Sequence, residues 1–237
     1  MNGTNGQALL RATYLGAVCL IIGFILLPLA ITIWVAFFSN KIMSFPPEGY
    51  TFSWFLKAWS LAVFRDGFLF SLRIAICASL LALLLGVPAA LAISRYRFPG
   101  RELINTVLMS PLMIPAIVSG SAIYLFYIEV QIRSGVQLAA TFYGLMLAHT
   151  LIAIPWVLRL LVASLSGLNP SIEEASLSLG ASHLTTFHRI TFAMIRPGMT
   201  AGALFGFIAS FGDLEKSLLL VGPGRITLPI AMINYLQ

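Results

Sequence analysis

The sequence has few charged residues and almost no cysteine. Only 9% of its 237 residues are Asp, Glu, Lys or Arg, and 59% are hydrophobic, whereas a soluble globular chain carries roughly 25% charged residues. The mean hydropathy is +0.95. This scarcity of charge excludes an ordinary soluble domain and predicts an all-α integral membrane protein. Cys19 and Cys77 lie inside apolar runs, so no disulfide framework is expected.

The sequence also lacks the motifs of several kinds of chemistry. It has no glycine-rich phosphate-binding motif that ends in lysine, and no cluster of His, Cys and acidic residues at metal-ligand spacing. We therefore expect no catalytic residue, no metal site and no cofactor bound by this chain. The net charge of +6 does not indicate nucleic-acid binding, because the basic residues lie singly or in short groups at the ends of apolar runs.

Long apolar runs predict five membrane-spanning helices. Their predicted bounds are 14–38, 68–93, 103–128, 142–165 and 199–211. The first four are long enough to cross a hydrocarbon core of about 30 Å, and Pro111 and Pro115 predict a bend in the third. Residues 228–236 begin another apolar run, and a sixth span is expected to follow Gln237.

The fifth run reaches only about 20 Å as a helix, so charged residues are expected near membrane depth. These are either Arg196 before the run or Asp213, Glu215 and Lys216 after it. If the helix continues, Asp213 and Lys216 form a neutralising pair on one face. Alternatively, Asp213 and Glu215 border a polar translocation path, as charged residues inside a membrane often do. Both interpretations stay open.

His149, inside the fourth run, is a further candidate for contact with a transported solute, although a packing role is the commoner one. Residues 39–66 mix tryptophan and phenylalanine with Lys57 and Arg65. Such a segment suits the membrane interface on the periplasmic side, with an ordinary loop packed on its own protein as the alternative.

One basic turn indicates the orientation. Arg95, Arg97 and Arg101 surround Pro99 and Gly100, and short basic turns between spans usually face the cytoplasm. The turn therefore predicts a cytoplasmic amino terminus. The full count of basic residues does not decide, because with this orientation each side of the membrane collects seven of them, those of the turn included.

The polar stretch 169–197 is the longest segment after Arg101 without an apolar core of its own. Asn169 and Pro170 are typical of a helix start, Glu173 and Glu174 then lie in its first turn, and Gly180 is typical of its end. Ser182 can cap the start of a second helix. A helix this short is not stable alone. The stretch therefore predicts a helix that binds in a groove of another protein.

The spacing in this stretch resembles a known loop. Glu174, Ala175 and Ser176, then three residues, Gly180, nine residues and Ile190 match the EAA loop of permease subunits of binding-protein-dependent ABC importers, whose pattern is EAA, three residues, G, nine residues, I, one residue, LP. A serine replaces the second alanine. The LP pair is replaced by Phe-Ala at 192–193, which leaves the path of the chain there open.

Other segments resemble the spermidine/putrescine-type branch of these permeases, over most of the chain from Phe68. They are LGVPAALAISRYRFPGR, PLMIPAIVSG, LAHTLIAIPWVLRLLVASLSGLNPSIEEAS and LVGPGRITLP. The resemblance implies a type I importer transmembrane fold, with residues 1–237 as one permease domain in a bacterial inner membrane. It implies as partners two cytoplasmic ATPase subunits that hold ATP and Mg, a second permease subunit and an external solute-binding protein.

The resemblance also implies ATP-driven alternating access, with residues 169–190 as a cytoplasmic coupling loop. The residues implied to contact or transmit to the ATPase are Glu173, Glu174, Ala175, Ser176, Gly180 and Ile190. The implied cargo is a small polar organic solute, polyamine-like by subfamily, with another small solute as the alternative. Two alternatives belong to other functional classes. One is a channel or secondary transporter, and the other is a membrane-embedded enzyme that acts through His183, His188 and Arg189.

Overall fold

The structure, a computed structural model, describes residues 3–42 and 44–236. Its helices are α1 (Gly3–Val35), α2 (Ser53–Ser60), α3 (Ala62–Arg95), α4 (Arg101–Met109), α5 (Ala116–Ser134), α6 (Phe142–Ser166), α7 (Ser171–Ser178), α8 (His183–Thr186), α9 (Phe192–Phe211), α10 (Glu215–Leu220) and α11 (Leu228–Leu236). The chain forms two compact units, Met1–Leu61 and Ala62–Gln237. Met43, inside the predicted interfacial segment, lies outside the described residues.

The first unit consists of α1 and an aromatic cluster after it. Residues Leu10–Val35 of α1 are apolar and long enough to cross a membrane. The indole nitrogen of Trp54, on α2, donates to the carbonyl oxygen of Phe38 at 2.9 Å, and the rings of Phe52 and Phe55 stack at 4.8 Å. Of the segment predicted over 39–66, the part around Trp54 thus packs within the first unit, whereas the last five residues belong to α3 in the second unit.

The core of the second unit lies between α3, α6 and α9. Small buried residues, among them Ala82 and Ala153, let these helices approach. A stripe of glycines on α9 brings it closest to α6: a Cβ atom at Gly202 would lie 3.0 Å from the Cα atom of Val157, and one at Gly206 would lie 3.1 Å from the Cβ atom of Ala153. Such small residues at four-residue spacing are how membrane helices pack backbone to backbone.

Replacing Gly202 with leucine is expected to destabilise the protein. The new side chain would displace the α6 backbone, and overpacking of this kind costs about 1–3 kcal/mol. Thermal unfolding of the detergent-purified protein measures the effect. Gly23→Leu is the matched control, because a Cβ atom at Gly23 of α1 meets nothing within 4 Å. An equal drop in melting temperature for both variants would contradict the packing argument.

The observed helices agree with the predicted spans in part. α6 ends one residue beyond the predicted 142–165, and α3 is longer than 68–93 at both ends. The short fifth run belongs to a longer helical stretch, since His183–Phe211 is long and apolar enough to cross a membrane. Arg196 therefore lies within this stretch, with its guanidinium 5.5 Å from the ring centroid of Phe192. The helix does not continue to Asp213, because it ends at Phe211.

The third predicted span, 103–128, is two helices rather than one bent helix. α4 and α5 meet at 107°, with a 3-10 turn between them (Ser110–Leu112). Pro115 immediately precedes α5, and proline disfavours helical backbone in the residue before it. The proline signal for a bend is thus confirmed, but the break is larger than a proline kink.

α11 begins as the apolar run from residue 228 predicts. Its first backbone N–H, at Leu228, donates to the hydroxyl oxygen of Ser71 on α3 at 2.8 Å. Ser71 is buried. This contact fixes the start of α11, and with it the loop that precedes it, against α3.

Candidate coupling loop and buried polar cluster

The first helix of the polar stretch has the predicted caps. The side-chain oxygen of Asn169 accepts from the backbone N–H of Ser171 at 3.1 Å, at the start of α7. At the other end Gly180 has φ +86°. Its N–H donates to the carbonyl of Leu177, and the next N–H donates to the carbonyl of Ser176. These two bonds form the Schellman motif that ends helices at a left-handed glycine.

The second helix also starts where the sequence predicts. The hydroxyl oxygen of Ser182 accepts from the backbone N–H of Thr185 at 3.2 Å, which caps α8. A π-helical turn (Phe187–Thr191) then joins α8 to α9. The chain is therefore helical through residues 192–193, where the Leu-Pro pair of the loop pattern is missing. Single π turns inside helices occur frequently at functional sites.

Glu173 faces the protein and joins three elements. Its Oε2 atom lies 3.1 Å from Nε of Arg95, at the end of α3. Its Oε1 atom accepts from the hydroxyl of Thr191 at 2.7 Å. Both side chains of the ion pair are mostly buried, at 18% exposure for Arg95 and 22% for Glu173. One carboxylate thus ties α7 to α3 and to the π turn.

Ser176 makes a second internal contact of α7. Its hydroxyl lies 3.0 Å from the hydroxyl of Thr186 on α8, and Thr186 is buried. The serine that replaces alanine in the loop pattern therefore adds a hydrogen bond between the two helices. Ile190, in the π turn, is half-buried.

The other predicted coupling residues face outward. Glu174, Ala175 and Gly180 are exposed. Beside them Leu179 is 89% exposed and Leu184 is 67% exposed. The outward side of the loop thus presents exposed apolar side chains next to exposed polar ones.

Sequence reasoning missed several residues of this loop. In the sequence Arg95 belongs only to the basic turn, and Thr186 and Thr191 have no predicted role, because their contacts join positions 10 to 78 residues apart. Leu179 could have been found, since it is a large apolar residue next to the glycine that ends α7.

A buried polar cluster lies between α6, α9 and α10. The Nδ1 atom of His149 is 2.8 Å from the hydroxyl of Ser210, and its Nε2 atom is 3.1 Å from the hydroxyl of Ser217. A neutral imidazole has one donor and one acceptor nitrogen, and a serine hydroxyl serves as either. Both ring nitrogens of this fully buried histidine are therefore satisfied.

Asp213 belongs to this cluster and also caps the start of α10. Its Oδ2 atom accepts from the backbone N–H groups of Lys216 at 3.1 Å and of Ser217 at 3.0 Å. Its Oδ1 atom is 3.7 Å from Nζ of Lys216, and both side chains are less than a tenth exposed. The same Oδ2 atom lies 3.9 Å from Nε2 of His149. The carboxylate thus caps a helix and balances a buried ammonium group.

The structure brings two of the three predicted pathway residues together. His149 and Asp213 share the buried cluster, whereas Glu215 is exposed at the start of α10. The neutralising pair of Asp213 and Lys216 forms, but across the start of a helix rather than within α9. Because His149 is only 1% exposed, a role of these residues in a solute pathway stays a prediction.

The coupling loop and the buried cluster both lie in the part of the chain that matches a known family. Residues 82–234 match the family model described as binding-protein-dependent transport system inner membrane component. The chain belongs to this family.

Several curated relatives of this importer permease cover most of its length. The Putrescine transport system permease protein PotI of Escherichia coli (strain K12) is 30% identical over 220 residues, which are 92% of this chain and 78% of PotI. The Putative 2-aminoethylphosphonate transport system permease protein PhnV of Salmonella typhimurium (strain LT2) is 30% identical over 215 residues, 91% of this chain and 79% of PhnV. The Spermidine/putrescine transport system permease protein PotC of Escherichia coli (strain K12) is 28% identical over 233 residues, 97% of this chain and 83% of PotC.

The fold of this permease agrees with that of an importer whose structure is solved. The crystal structure of a bacterial ABC transporter involved in the import of the acidic polysaccharide alginate matches with a TM-score of 0.69 at 15% identity, over 99% of this chain and 81% of the other. The predicted family and the type I importer fold are therefore confirmed. This chain is a permease subunit of an ABC importer, and its relatives are transport subunits rather than enzymes. His183, His188 and Arg189, the residues of the enzyme alternative, are exposed on α8 and the π turn.

Proposed function

We propose that cytoplasmic ATPase subunits drive this permease by binding the outward side of the coupling loop. The division of the loop supports this proposal. Glu173 is held by Arg95 and Thr191, while Glu174 and Leu179 are exposed beside it. A loop with one side fixed to the protein and the other side free suits the transfer of motion from a partner.

The complete importer in this proposal contains two ATPase subunits, which hold ATP and Mg, a second permease subunit and an external solute-binding protein. It lies in the bacterial inner membrane with the amino terminus of this chain in the cytoplasm. The family description, which names a binding-protein-dependent system and the inner membrane, supports the membrane and the binding protein, and the similar fold of an ABC transporter supports the ATPase subunits. The basic turn at Arg95, Arg97 and Arg101 supports the orientation.

Motion of α7 would reach two helices of the core. The contact between Glu173 and Arg95 passes it to α3, and the hydrogen bonds at Thr186 and Thr191 pass it toward α9. A rigid shift of both helices would change the side to which a central cavity opens. The loop thus acts in alternating access without a hydrolytic group of its own.

The proposed cargo is a small organic solute that carries an alkylammonium group. The compounds in the names of the relatives, putrescine, spermidine and 2-aminoethylphosphonate, share a primary amine on a short alkyl chain. They differ in their other group, which is a second amine in the polyamines and a phosphonate in 2-aminoethylphosphonate. Another small solute is the second candidate.

The variant Glu174→Arg tests the coupling proposal. The complex with its ATPase subunits is purified, and ATP-dependent uptake is measured in proteoliposomes with the binding protein. We expect uptake to fall about tenfold or more, because reversal of a central interface charge costs at least about 1.4 kcal/mol. The ATPase subunits should be lost on purification, or hydrolysis should proceed without uptake.

Glu102→Arg is the matched control, because Glu102 is an exposed acid in the first turn of α4, near the same end of α3. It should leave uptake unchanged. Normal uptake by Glu174→Arg would exclude this surface as the coupling surface. Uptake without ATP or partner subunits would instead favour a channel or secondary transporter.

A further inference from the structure

A groove lies at the end of the second unit opposite the coupling loop. Arg73 on α3 precedes Arg95 by 22 residues, or about 33 Å along the helix. A cavity of about 470 Å³ there is lined by Asp66, Phe70, Arg73 and Arg225, among others. An adjoining cavity of about 310 Å³ is lined by Phe70, Arg73, Arg225 and Phe142. Two arginine side chains therefore line the same groove.

Among the described residues, neither of these arginines has an acidic partner. Across residues 3–42 and 44–236, the guanidinium groups of Arg73 and Arg225 take part in no ion pair or side-chain hydrogen bond, whereas Arg65 pairs with Asp66 at 3.2 Å and Arg133 pairs with Glu129. Asp66, the acid in the groove lining, is thus already partly balanced. Both residues are exposed, so water and salt screen their repulsion, and an anion held by both guanidinium groups would be attracted to each of them.

The loop that carries Arg225 is fixed at both of its ends. A Cβ atom at Gly222 would lie 2.6 Å from the Cβ atom of Ala140, so this glycine is pressed against the loop before α6. The backbone N–H of Arg225 donates to the carbonyl of Gly222 at 3.2 Å, in a turn that Gly224 forms with φ +76°. Leu228 is held on Ser71 of α3. Contacts within the protein therefore hold the backbone at Arg225 beside α3.

We propose that Arg73 and Arg225 form a binding site for the phosphonate, phosphate or carboxylate group of a small solute. Guanidinium groups bind these oxyanions through paired hydrogen bonds, and the rings of Phe70 and Phe142 provide apolar walls for a short alkyl chain. This inference rests on the proposed function, import of a small organic solute, and refines its substrate class. The solute carries an anionic group, which excludes a simple polyamine as the preferred ligand of this site.

Calorimetric titration of the purified complex tests the site. The permease is assembled with its partner subunits in phosphatidylcholine nanodiscs, without ATP and without the binding protein. We expect 2-aminoethylphosphonate to bind, inorganic phosphate to compete with it and putrescine to show no binding. Arg73→Gln and Arg225→Gln should each weaken binding about tenfold or more, as expected for lost charge-assisted hydrogen bonds. Arg133→Gln, which removes a guanidinium already paired with Glu129, should leave it unchanged.

A lipid headgroup carries the same phosphate chemistry, and a second measurement separates the two sources. Native mass spectrometry counts the phosphatidylglycerol retained by each variant. Loss of this lipid in Arg73→Gln and Arg225→Gln, with no binding of the small anions, would overturn the solute assignment. Binding of 2-aminoethylphosphonate that both variants leave unchanged, or binding of putrescine in its place, would overturn the site itself. Either failure leaves the coupling test at Glu174 unaffected.

Discussion

Replacing Gly180 with proline is expected to abolish ATP-driven uptake by the assembled importer. Gly180 has φ +86°, whereas proline is fixed near −65° and lacks the N–H that donates to Leu177. Proline also disfavours helical backbone in the residue before it, and that residue is the exposed Leu179. The variant would therefore unwind the end of α7 and displace the outward surface of the coupling loop.

The expected loss is about a hundredfold or more, because proline at an incompatible position costs about 3 kcal/mol or more. Uptake and ATP hydrolysis are measured together in proteoliposomes, so that uncoupling is distinguished from loss of the ATPase subunits. Gly180→Asn is the matched control, since asparagine tolerates the left-handed conformation and should retain most of the uptake. If the proline variant transports normally, the geometry of this turn has no part in coupling.

Replacing Asp213 with alanine is expected to cause the largest loss of stability of any substitution considered for this chain. It leaves the ammonium group of Lys216 buried without a counter-charge, and breaking a buried pair in this way costs about 3–5 kcal/mol. It also removes the acceptor for two backbone N–H groups at the start of α10. We expect a large drop in melting temperature and in the yield of folded protein.

The double variant Asp213→Ala with Lys216→Met should recover part of this loss, because the unpaired charge is gone. A double-mutant cycle gives the coupling energy of the pair. Asp213→Asn separates the two effects, since its carboxamide oxygen can still accept from the backbone. Glu129→Ala, which breaks the exposed pair with Arg133, serves as the control and should cost no more than about 1 kcal/mol. A double variant no more stable than Asp213→Ala would show that charge balance does not hold the cluster together.

The sequence predicts those parts of the fold that depend on local patterns. The apolar run of α6 contains His149 and Arg159 but is long enough to give its bounds to within one residue. The fifth run is harder to interpret, because Arg189 and Arg196 lower the hydropathy within the stretch His183–Phe211, which is helical from end to end. The break between α4 and α5 is wider than Pro115 alone explains. It accompanies the packing of α5 on α10, where a Cβ atom at Gly120 would lie 3.3 Å from the Cα atom of Lys216, and no local pattern encodes that contact.

The same distinction holds for the candidate sites. The caps at Asn169, Gly180 and Ser182 follow from residue type and spacing, since each acts within a few residues of its own position. The ion pair of Glu173 with Arg95 joins positions 78 residues apart. Such pairings appear only when the helices are packed together.

The glycines at 198, 202 and 206 have a further consequence for how this permease moves. Interlocked side chains fix two packed helices at one register, because each must change rotamer before the helices can slide. Along this stripe α9 presents its backbone to α6 instead, because glycine has no side chain that could interlock with those of α6. A shear of α9 along α6 would therefore meet little side-chain interlock along this stripe, and it would have to change the stacked rings of Trp156 and Phe205 and the hydrogen bond between His149 and Ser210. In such a shear, the close approach that stabilises the core would also serve as the sliding surface of the helix that follows the coupling loop.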